Sequence, residues 1–302
     1  MENESVNSTN PPLSGRMDLQ GHRGARGARP ENTLPAFIYC VEHHMTTIEL
    51  DTHMTRDKQL IIYHDSRINR KLCLDEQGRP AAEIPVQDLT VAQLKRLDCG
   101  ALKNDEFPEQ TPVKNTRMMT LAELFLYARR HESENPRWKK IRFNIEMKFP
   151  QRHTRTEIAE AARILIETIE EAEMVDRVTV QSFVTDVLPE IRTRNETVGL
   201  SALFQPTRLQ GIKMMFGLNA NRHQIIEKTL ETGADTVSPY HLYANRAFVR
   251  KCHGKNLRVV PWTVNETKIM LRLFENGVNG MISDYPERLN NAYEIYKSRG
   301  KD

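Results

Sequence analysis

The sequence TTIELDTH, residues 46–53, alternates apolar and polar side chains. Because successive side chains of a β-strand point to opposite faces, Glu49, Asp51 and His53 share one face and the apolar side chains share the other. Buried carboxylates are costly unless something positive neutralises them. The stretch therefore predicts a buried strand whose polar face carries chemistry, with a solvent-facing edge strand as the alternative.

Similar β-rich runs alternate with helix-like runs along the rest of the chain. The predicted strands cover residues 17–22, 46–53, 141–148, 178–183, 198–204, 234–240, 257–264 and 280–285. Eight strands that alternate with helices predict a parallel sheet with helical crossovers. In a chain of 302 residues this predicts an α/β protein with a TIM-type (β/α)8 barrel, and a doubly wound open sheet is the alternative.

Residues 66–118, after the second strand, interrupt this alternation. They are rich in proline, glycine and charged side chains, and only VAQLKRL has a helical pattern. A structureless loop of that length is unusual in a compact domain, so we predict a small inserted subdomain within a barrel domain of residues 17–302. Because βα loops form the catalytic face of such barrels, the insert can cap the site.

Composition narrows the class of protein. Apolar residues make up 39% of the chain, and the net charge of +3 gives no reason to expect nucleic acid or an anionic membrane as a partner. No apolar run approaches the roughly 18 residues that span a bilayer, so stable membrane insertion is not expected. Residues 1–16 lack the basic start and apolar stretch of a secretory signal. They predict a disordered leader on a cytoplasmic protein, although a trimmed precursor would look the same.

The four cysteines, Cys40, Cys73, Cys99 and Cys252, are widely spaced and contain no CxxC pair. A zinc cluster is therefore not expected, and free thiols are predicted. Cys40 falls in a helical pattern and is expected in the core.

A second predicted strand repeats the acidic pattern of the first. In NIEMK, residues 144–148, Glu146 and Lys148 share a face. Oxygen ligands from Glu49, Asp51 and Glu146 would suit a hard divalent cation, and Lys148 can hold a phosphate. The alternative for this strand is an ordinary surface ion pair.

Two histidines follow the ends of predicted strands. His22 ends the first strand, and the adjacent Arg23 can bind phosphate oxygens with both arms of its guanidinium. His64 closes LIIYHD, a hairpin-like return after the second strand. Histidines on opposite sides of a phosphodiester can accept the proton of the nucleophile and give one to the leaving oxygen. A lone histidine at a strand end is more often structural.

Other side chains near strand ends are candidates either for substrate contact or for barrel packing: Gln181, Ser182, His241, Trp262 and Asn265. Asp284 precedes the last predicted helix and is expected to cap it.

The motifs GHRG, PENT, IELDTH, IIYHD, NIEMK, QSF, PWTVN and GMISDYP occur in this order. Together they resemble the glycerophosphodiester phosphodiesterase family over nearly the whole chain. The resemblance implies a TIM-type barrel with a bound divalent cation, Mg²⁺ or Ca²⁺. It also implies the site residues: acid/base pair His22 and His64; metal ligands Glu49, Asp51 and Glu146; phosphate contacts Arg23 and Lys148; and Asn32 as a polar residue near the site. Asn32, and Trp262 from its place beside the seventh strand, are further expected substrate contacts. Residues 66–118 resemble the insertion characteristic of that family.

The resemblance implies hydrolysis of small glycerophosphodiesters to glycerol 3-phosphate and an alcohol such as choline, ethanolamine or glycerol. The glycerol 2-hydroxyl would attack phosphorus and form a cyclic phosphate, which water then opens. Lysophospholipase D-like cleavage of lipid phosphodiesters is the alternative, because the loop of residues 203–222 carries Leu209, Met214, Met215 and Phe216. A non-catalytic barrel or a Schiff-base aldolase would not need both histidines and three carboxylates.

Overall fold

The computed structural model describes residues 17–207 and 222–300. The predicted leader and the apolar residues of the loop after the fifth predicted strand lie outside these ranges. The strands within them are β1 (Asp18–Gly21), β2 (Thr47–Met54), β3 (Leu60–Ile62), β4 (Arg142–Met147), β5 (Val178–Ser182), β6 (Gly199–Phe204), β7 (Thr236–Pro239), β8 (Arg258–Val259) and β9 (Gly280–Ser283).

The helices of the described residues alternate with these strands. They are α1 (Leu34–Glu42), α2 (Val91–Leu94), α3 (Leu121–Arg130), α4 (Pro136–Lys140), α5 (Arg155–Glu171), α6 (Val187–Arg192), α7 (Arg222–Glu231), α8 (Arg246–His253), α9 (Thr267–Glu275) and α10 (Pro286–Ser298). Within residues 17–207 and 222–300, no helix is both long enough and apolar enough to cross a membrane.

Eight parallel strands form a nearly closed barrel in the order β8-β7-β6-β5-β4-β2-β1-β9. Backbone hydrogen bonds join the two ends of this order. The amide of Asn279 donates to the carbonyl of Val259 at 2.9 Å, beside β9 and β8. The amide of Ile282 donates to the carbonyl of Pro261 at 3.0 Å. The predicted TIM-type (β/α)8 barrel is therefore confirmed, and the open doubly wound sheet is wrong.

The strand β8 is shorter than the predicted strand of residues 257–264. Pro261 has no N–H to donate, so the regular ladder ends before it. The amide of Trp262 still donates to the carbonyl of Pro239 at 3.2 Å. The chain therefore continues beside β7 in an extended form without a continuous ladder.

The strand β2 lies between β1 and β4 and is hydrogen-bonded on both sides. The edge-strand alternative for residues 46–53 is therefore wrong. Ile48 and Leu50 are fully buried in the main hydrophobic core. Glu49 and Asp51 are also buried, at 1% exposure each, on the opposite face of the strand. Alternation along β2 thus separates packing residues from polar ones, as predicted.

The strand β3 runs antiparallel to β2, which confirms the predicted hairpin-like return. The following segment, residues 66–118, carries α2 and packs with Ile61 and Tyr63 in a small hydrophobic cluster distinct from the main core. The buried members of that cluster are Ile61, Tyr63, Ile68, Cys73, Ala81, Val86, Leu94 and Met118. That this segment is an inserted subdomain stays a prediction.

Cys73 and Cys99 form a disulfide within this segment. Their neighbours Leu74 and Asp98 exchange two backbone hydrogen bonds of 2.8 and 2.9 Å, which brings the two cysteines together. The prediction of free thiols is therefore wrong for this pair. The other two cysteines, Cys40 and Cys252, are free and buried, as expected for Cys40.

Candidate active site

Three carboxylates from adjacent strands meet inside the barrel. β2 and β4 are parallel neighbours, and their register pairs Asp51 with Glu146. Glu49, Asp51 and Glu146 each offer a carboxylate oxygen, and these oxygens lie within 4.8 Å of one another. All three side chains are buried. Strand alternation and register thus produce the acidic cluster that the sequence predicted.

The cluster is electrostatically strained without a cation. Burial, followed by repulsion from Asp51 and Glu146, raises the pKa of Glu49 well above its usual range. Burial raises the pKa of Glu146 to about 7. For Asp51 burial acts in the same direction, but the nearby ammonium of Lys148 holds its pKa well below the usual range. Three hard oxygen donors in a buried and negatively charged pocket fit a hard divalent cation.

Lys148 lies against two of the carboxylates. Its Nζ is 2.6 Å from Oε1 of Glu146 and 3.1 Å from Oδ1 of Asp51. Its side chain is only 17% exposed, so these ion pairs are partly shielded from water. In this arrangement Lys148 neutralises the acidic cluster, and its predicted contact with phosphate requires the ammonium to leave at least one carboxylate.

The loop after β1 holds Asp51 from the other side. Arg23 and Asn32 both have positive φ angles, 49° and 56°, which is uncommon for residues other than glycine. Asn32 donates its Nδ2–H to Oδ2 of Asp51 at 2.8 Å and accepts the Asp51 amide at 3.2 Å. The Arg23 guanidinium pairs with Glu31 at 2.8 Å, and its Nε is 3.4 Å from Asp51. Asn32 therefore orients Asp51, and its contact with substrate stays a prediction.

Glu49 has its own hydrogen-bond donors. The amide of Arg23 donates to Oε2 at 2.8 Å, and Nε2 of Gln181 donates to Oε1 at 2.8 Å. Gln181 is 1% exposed and accepts from Nδ2 of Asn144 at 2.9 Å. Gln181, which the sequence left between substrate contact and packing, thus positions Glu49.

His22 forms a hydrogen-bonded pair with Asp284. Its Nδ1 lies 2.6 Å from Oδ1 of Asp284, which also accepts from Arg26 at 2.9 Å and, through Oδ2, from Asn265 at 2.6 Å. Although burial opposes it, contact with His22 holds the pKa of Asp284 far below its usual range. An ionised carboxylate only accepts, so Nδ1 of His22 carries the proton and Nε2 keeps a lone pair. This Nε2 is 4.0 Å from Oε2 of Glu49.

The expectation that Asp284 caps the last helix is wrong. The N-cap of α10 is Tyr285, and it makes no side-chain cap. A signal for the true partner did exist in the predicted topology. The first and last strands of a closed barrel are neighbours, and the register pairs Gly21 with Ser283. The residues that follow these two, His22 and Asp284, therefore lie side by side.

His64 forms a second pair, with the adjacent Asp65. Its Nδ1 lies 2.7 Å from Oδ1 of Asp65, and the other oxygen accepts from Nδ2 of Asn69 at 2.9 Å. The hydrogen bond from His64 lowers the pKa of Asp65, so this carboxylate also accepts. His53 donates Nε2–H to the carbonyl of His64 at 2.9 Å. This nitrogen of His53 therefore has no lone pair to offer a cation at the acidic cluster. The two catalytic candidates, His22 and His64, thus share one arrangement, in which Nδ1 is hydrogen-bonded to a carboxylate.

An aromatic wall follows β5, β7 and β8. The ring of Trp262 lies edge-to-face against Phe183 at 5.3 Å and against Tyr240 at 5.9 Å, and its Nε1–H donates to the carbonyl of Ser238. Phe183 is 38% exposed, and its ring centroid is 6.0 Å from Nζ of Lys148. The wall therefore borders the charged site, and the predicted substrate contact of Trp262 stays a prediction.

Comparison with known proteins gives a consistent result. Residues 22–288 match the model of the glycerophosphoryl diester phosphodiesterase family. A Bacillus subtilis (strain 168) protein assigned as a glycerophosphodiester phosphodiesterase, YhdW, is 28% identical over 90% of this chain and 96% of its own length. A solved Silicibacter pomeroyi DSS-3 protein assigned as a glycerophosphoryl diester phosphodiesterase is 26% identical, with a TM-score of 0.83 over 97% of this chain and 98% of that one. An Oleispira antarctica phosphodiesterase, solved with the product sn-glycerol-3-phosphate, is 18% identical with a TM-score of 0.71 over 94% of this chain and 99% of that one.

Proposed function

Because this chain belongs to the glycerophosphoryl diester phosphodiesterase family, whose enzymes are phosphoric diester hydrolases, we propose that it hydrolyses small glycerophosphodiesters to glycerol 3-phosphate and an alcohol. The observation that carries the proposal is a buried carboxylate cluster accompanied by two histidine–aspartate pairs. The product found in the Oleispira antarctica phosphodiesterase supports the same chemistry here.

Glu49, Asp51 and Glu146 would hold a divalent cation, for which Mg²⁺ and Ca²⁺ are the candidates. When bound, such an ion neutralises charge on the phosphodiester and polarises its oxygens. Asn32, Gln181 and the Arg23 amide then keep the carboxylates aimed at one point, because each donates a hydrogen bond to Asp51 or Glu49.

His22 and His64 are proposed to move the protons. One imidazole Nε2 accepts the proton of the glycerol 2-hydroxyl as that oxygen attacks phosphorus, and the other histidine gives a proton to the departing alcohol oxygen. The cyclic phosphate is then opened by water, with the two histidines in exchanged roles. Asp284 and Asp65 fix the tautomer of each ring and stabilise its protonated form. Burial lowers the pKa of His22 and keeps this ring neutral and ready to accept a proton.

Arg23 and Lys148 are proposed to bind the phosphate, and Trp262 to contact the substrate beside it. Lys148 would turn from the carboxylates toward the phosphate when a cation occupied those oxygens, because the two positive charges would compete for them. Substrate binding would then depend on cation binding.

Release of glycerol 3-phosphate from glycerophosphocholine, glycerophosphoethanolamine and glycerophosphoglycerol tests the proposal. We expect turnover that a chelator abolishes and that Mg²⁺ or Ca²⁺ restores. His22→Asn and His64→Asn should each lose it. Full activity after exhaustive metal removal, or in either variant, would reject the mechanism. A lysophospholipid in the same assay tests the lysophospholipase D-like alternative, and faster cleavage of the lysolipid would favour it.

The disulfide bears on where the protein works. Disulfides persist in oxidising compartments and are rare where cytosolic reductants act. The bond between Cys73 and Cys99 therefore weighs against the predicted cytoplasmic location. Alkylation of the protein in intact cells, followed by mass spectrometry, distinguishes an oxidising compartment from the cytoplasm. Alkylated Cys73 and Cys99 would favour the cytoplasm.

A further inference from the structure

We propose that Asn69 and the turn that carries it, residues 69–73, which the Cys73–Cys99 disulfide anchors at its last residue, are positioning elements for the His64–Asp65 pair. The proposal rests on the catalytic role proposed for His64, and it adds how the carboxylate partner of that histidine is held.

Asn69 holds the carboxylate oxygen that His64 leaves free. Its Nδ2–H donates to Oδ2 of Asp65 at 2.9 Å, while His64 donates to Oδ1 at 2.7 Å. The Asp65 side chain is 37% exposed, so surrounding packing alone does not fix it. Because both oxygens are bonded, the carboxylate cannot rotate without losing a hydrogen bond. Asn69 therefore keeps Asp65 facing the ring.

The backbone of Asn69 is itself fixed. Its amide donates to the hydroxyl of Tyr63 at 2.8 Å, and its carbonyl accepts from the amides of Leu72 and Cys73, both at 3.0 Å. Tyr63 is buried, and its hydroxyl lies 3.9 Å from Sγ of Cys73. The turn is thus held by the same cysteine that forms the disulfide.

The disulfide connects this turn to the rest of the segment of residues 66–118. Cys73 is bonded to Cys99, whose amide donates to the carbonyl of Thr116 at 3.0 Å. Cys73 also keeps backbone contacts of its own, since its carbonyl accepts from Ala81 at 2.9 Å. Reduction of the disulfide should therefore make the turn more mobile, while its backbone hydrogen bonds keep it in place.

The other histidine pair shows why such a device is needed at His64. Asp284 is 1% exposed and is held inside the barrel by Arg26 and Asn265. Asp65 lies outside the barrel strands and has only Asn69 as a second side-chain partner among the described residues. The buried surroundings of Asp284 therefore fix its orientation, whereas the orientation of Asp65 depends on the turn that carries Asn69.

A double-mutant cycle on Asn69 and Asp65 tests the inference. Asn69→Ala should lower kcat about tenfold and leave KM unchanged, since it removes one hydrogen bond to a charged group that acts only through His64. Asn69→Ala in an Asp65→Asn background should cause no further loss, a result that general destabilisation would not give. Asn104→Ala is the matched control, because Asn104 caps a different turn of the same segment. Full kcat in Asn69→Ala, or independent effects in the cycle, would overturn the proposal.

Reduction tests the disulfide. Dithiothreitol supplies two electrons and two protons, converts Cys73 and Cys99 to thiols and is itself oxidised to a cyclic disulfide. We expect a reversible fall in kcat that is smaller than that of Asn69→Ala. The Cys73→Ser/Cys99→Ser double variant should reproduce this fall and no longer respond to reductant.

The Asn69→Ala variant separates the outcomes. Reduction should not lower its kcat further, because the link to Asp65 is already broken. If reduction lowered kcat by the same fraction in Asn69→Ala and in the unmodified protein, the coupling between the disulfide and Asn69 would be overturned. If reduction did not lower kcat in the unmodified protein, the role of the disulfide would be overturned. If His64→Asn kept full activity, the proposed function would fail instead, which this design detects separately.

Discussion

Replacing Lys148 by methionine should strengthen cation binding while it weakens catalysis. The ammonium of Lys148 lies 2.6 Å from Glu146 and 3.1 Å from Asp51, so a cation that uses these oxygens must displace it. A hydrogen bond to a charged group contributes about 1.5–3 kcal/mol net, and we take the lower end because the displaced ammonium regains contact with water. Since about 1.4 kcal/mol is tenfold in a dissociation constant, we expect Ca²⁺ to bind Lys148→Met about tenfold more tightly.

The same variant should lose about 10- to 100-fold in kcat/KM at saturating cation, because the ammonium no longer reaches the phosphate. Isothermal titration with Ca²⁺ measures the first effect, and glycerol 3-phosphate release measures the second. Lys58→Met is the control, since Lys58 forms an exposed ion pair with Glu160 and should change neither quantity. Unchanged or weaker Ca²⁺ binding in Lys148→Met would refute the idea that lysine and cation compete for the same oxygens.

Further predictions concern the cation, the His22 pair and pH. Saturating Ca²⁺ should stabilise the protein by about 2.7 kcal/mol at a hundredfold excess over Kd, since the ion binds only the folded site, and thermal unfolding with and without chelator checks this. Asp284→Asn should lower kcat about 10²- to 10⁴-fold with little change in KM, because the amide can hold the wrong tautomer of His22; steady-state kinetics would contradict this if KM rose instead. Burial raises the pKa of Glu146 to about 7, above its unfolded value of 4.5, so the folded state binds the proton more tightly. The free energy of unfolding of the metal-free protein should therefore fall as pH rises from 4.5 to about 7, and Glu146→Gln should reduce that slope in urea titrations, leaving the part that Glu49 contributes.

The sequence predicted the parts of this protein that depend on local periodicity. Glu49 and Asp51 share a face because strand side chains alternate, and Glu146 joins them because its strand lies beside theirs in the barrel. The eight strands follow from alternating β-rich and helical runs in the same way. Several predicted strands were too long, and the seventh exceeded the observed strand the most, since Pro261 removes a donor that the ladder needs.

Contacts between distant or irregular segments were harder to predict. Nothing in the spacing of Cys73 and Cys99 indicates that Leu74 and Asp98 pair, so the disulfide was missed. Asp284 was interpreted as a helix cap because that rule uses only neighbouring residues. Its actual partner, His22, is 262 residues away and becomes adjacent only when the barrel closes.

The two histidine pairs owe their orientation to different parts of the fold. His22 and Asp284 follow neighbouring strands of the barrel, so the sheet register that builds the acidic cluster also aligns this pair. His64 follows a short antiparallel return, and its carboxylate is held by Asn69 rather than by a strand. The barrel thus fixes one half of the proposed acid/base machinery, and the segment of residues 66–118 supports the other half. We therefore expect substitutions in the turn of residues 69–73 to change proton transfer at His64, whereas Gln110 and Phe107 of the same segment contact Arg26, on the His22 side.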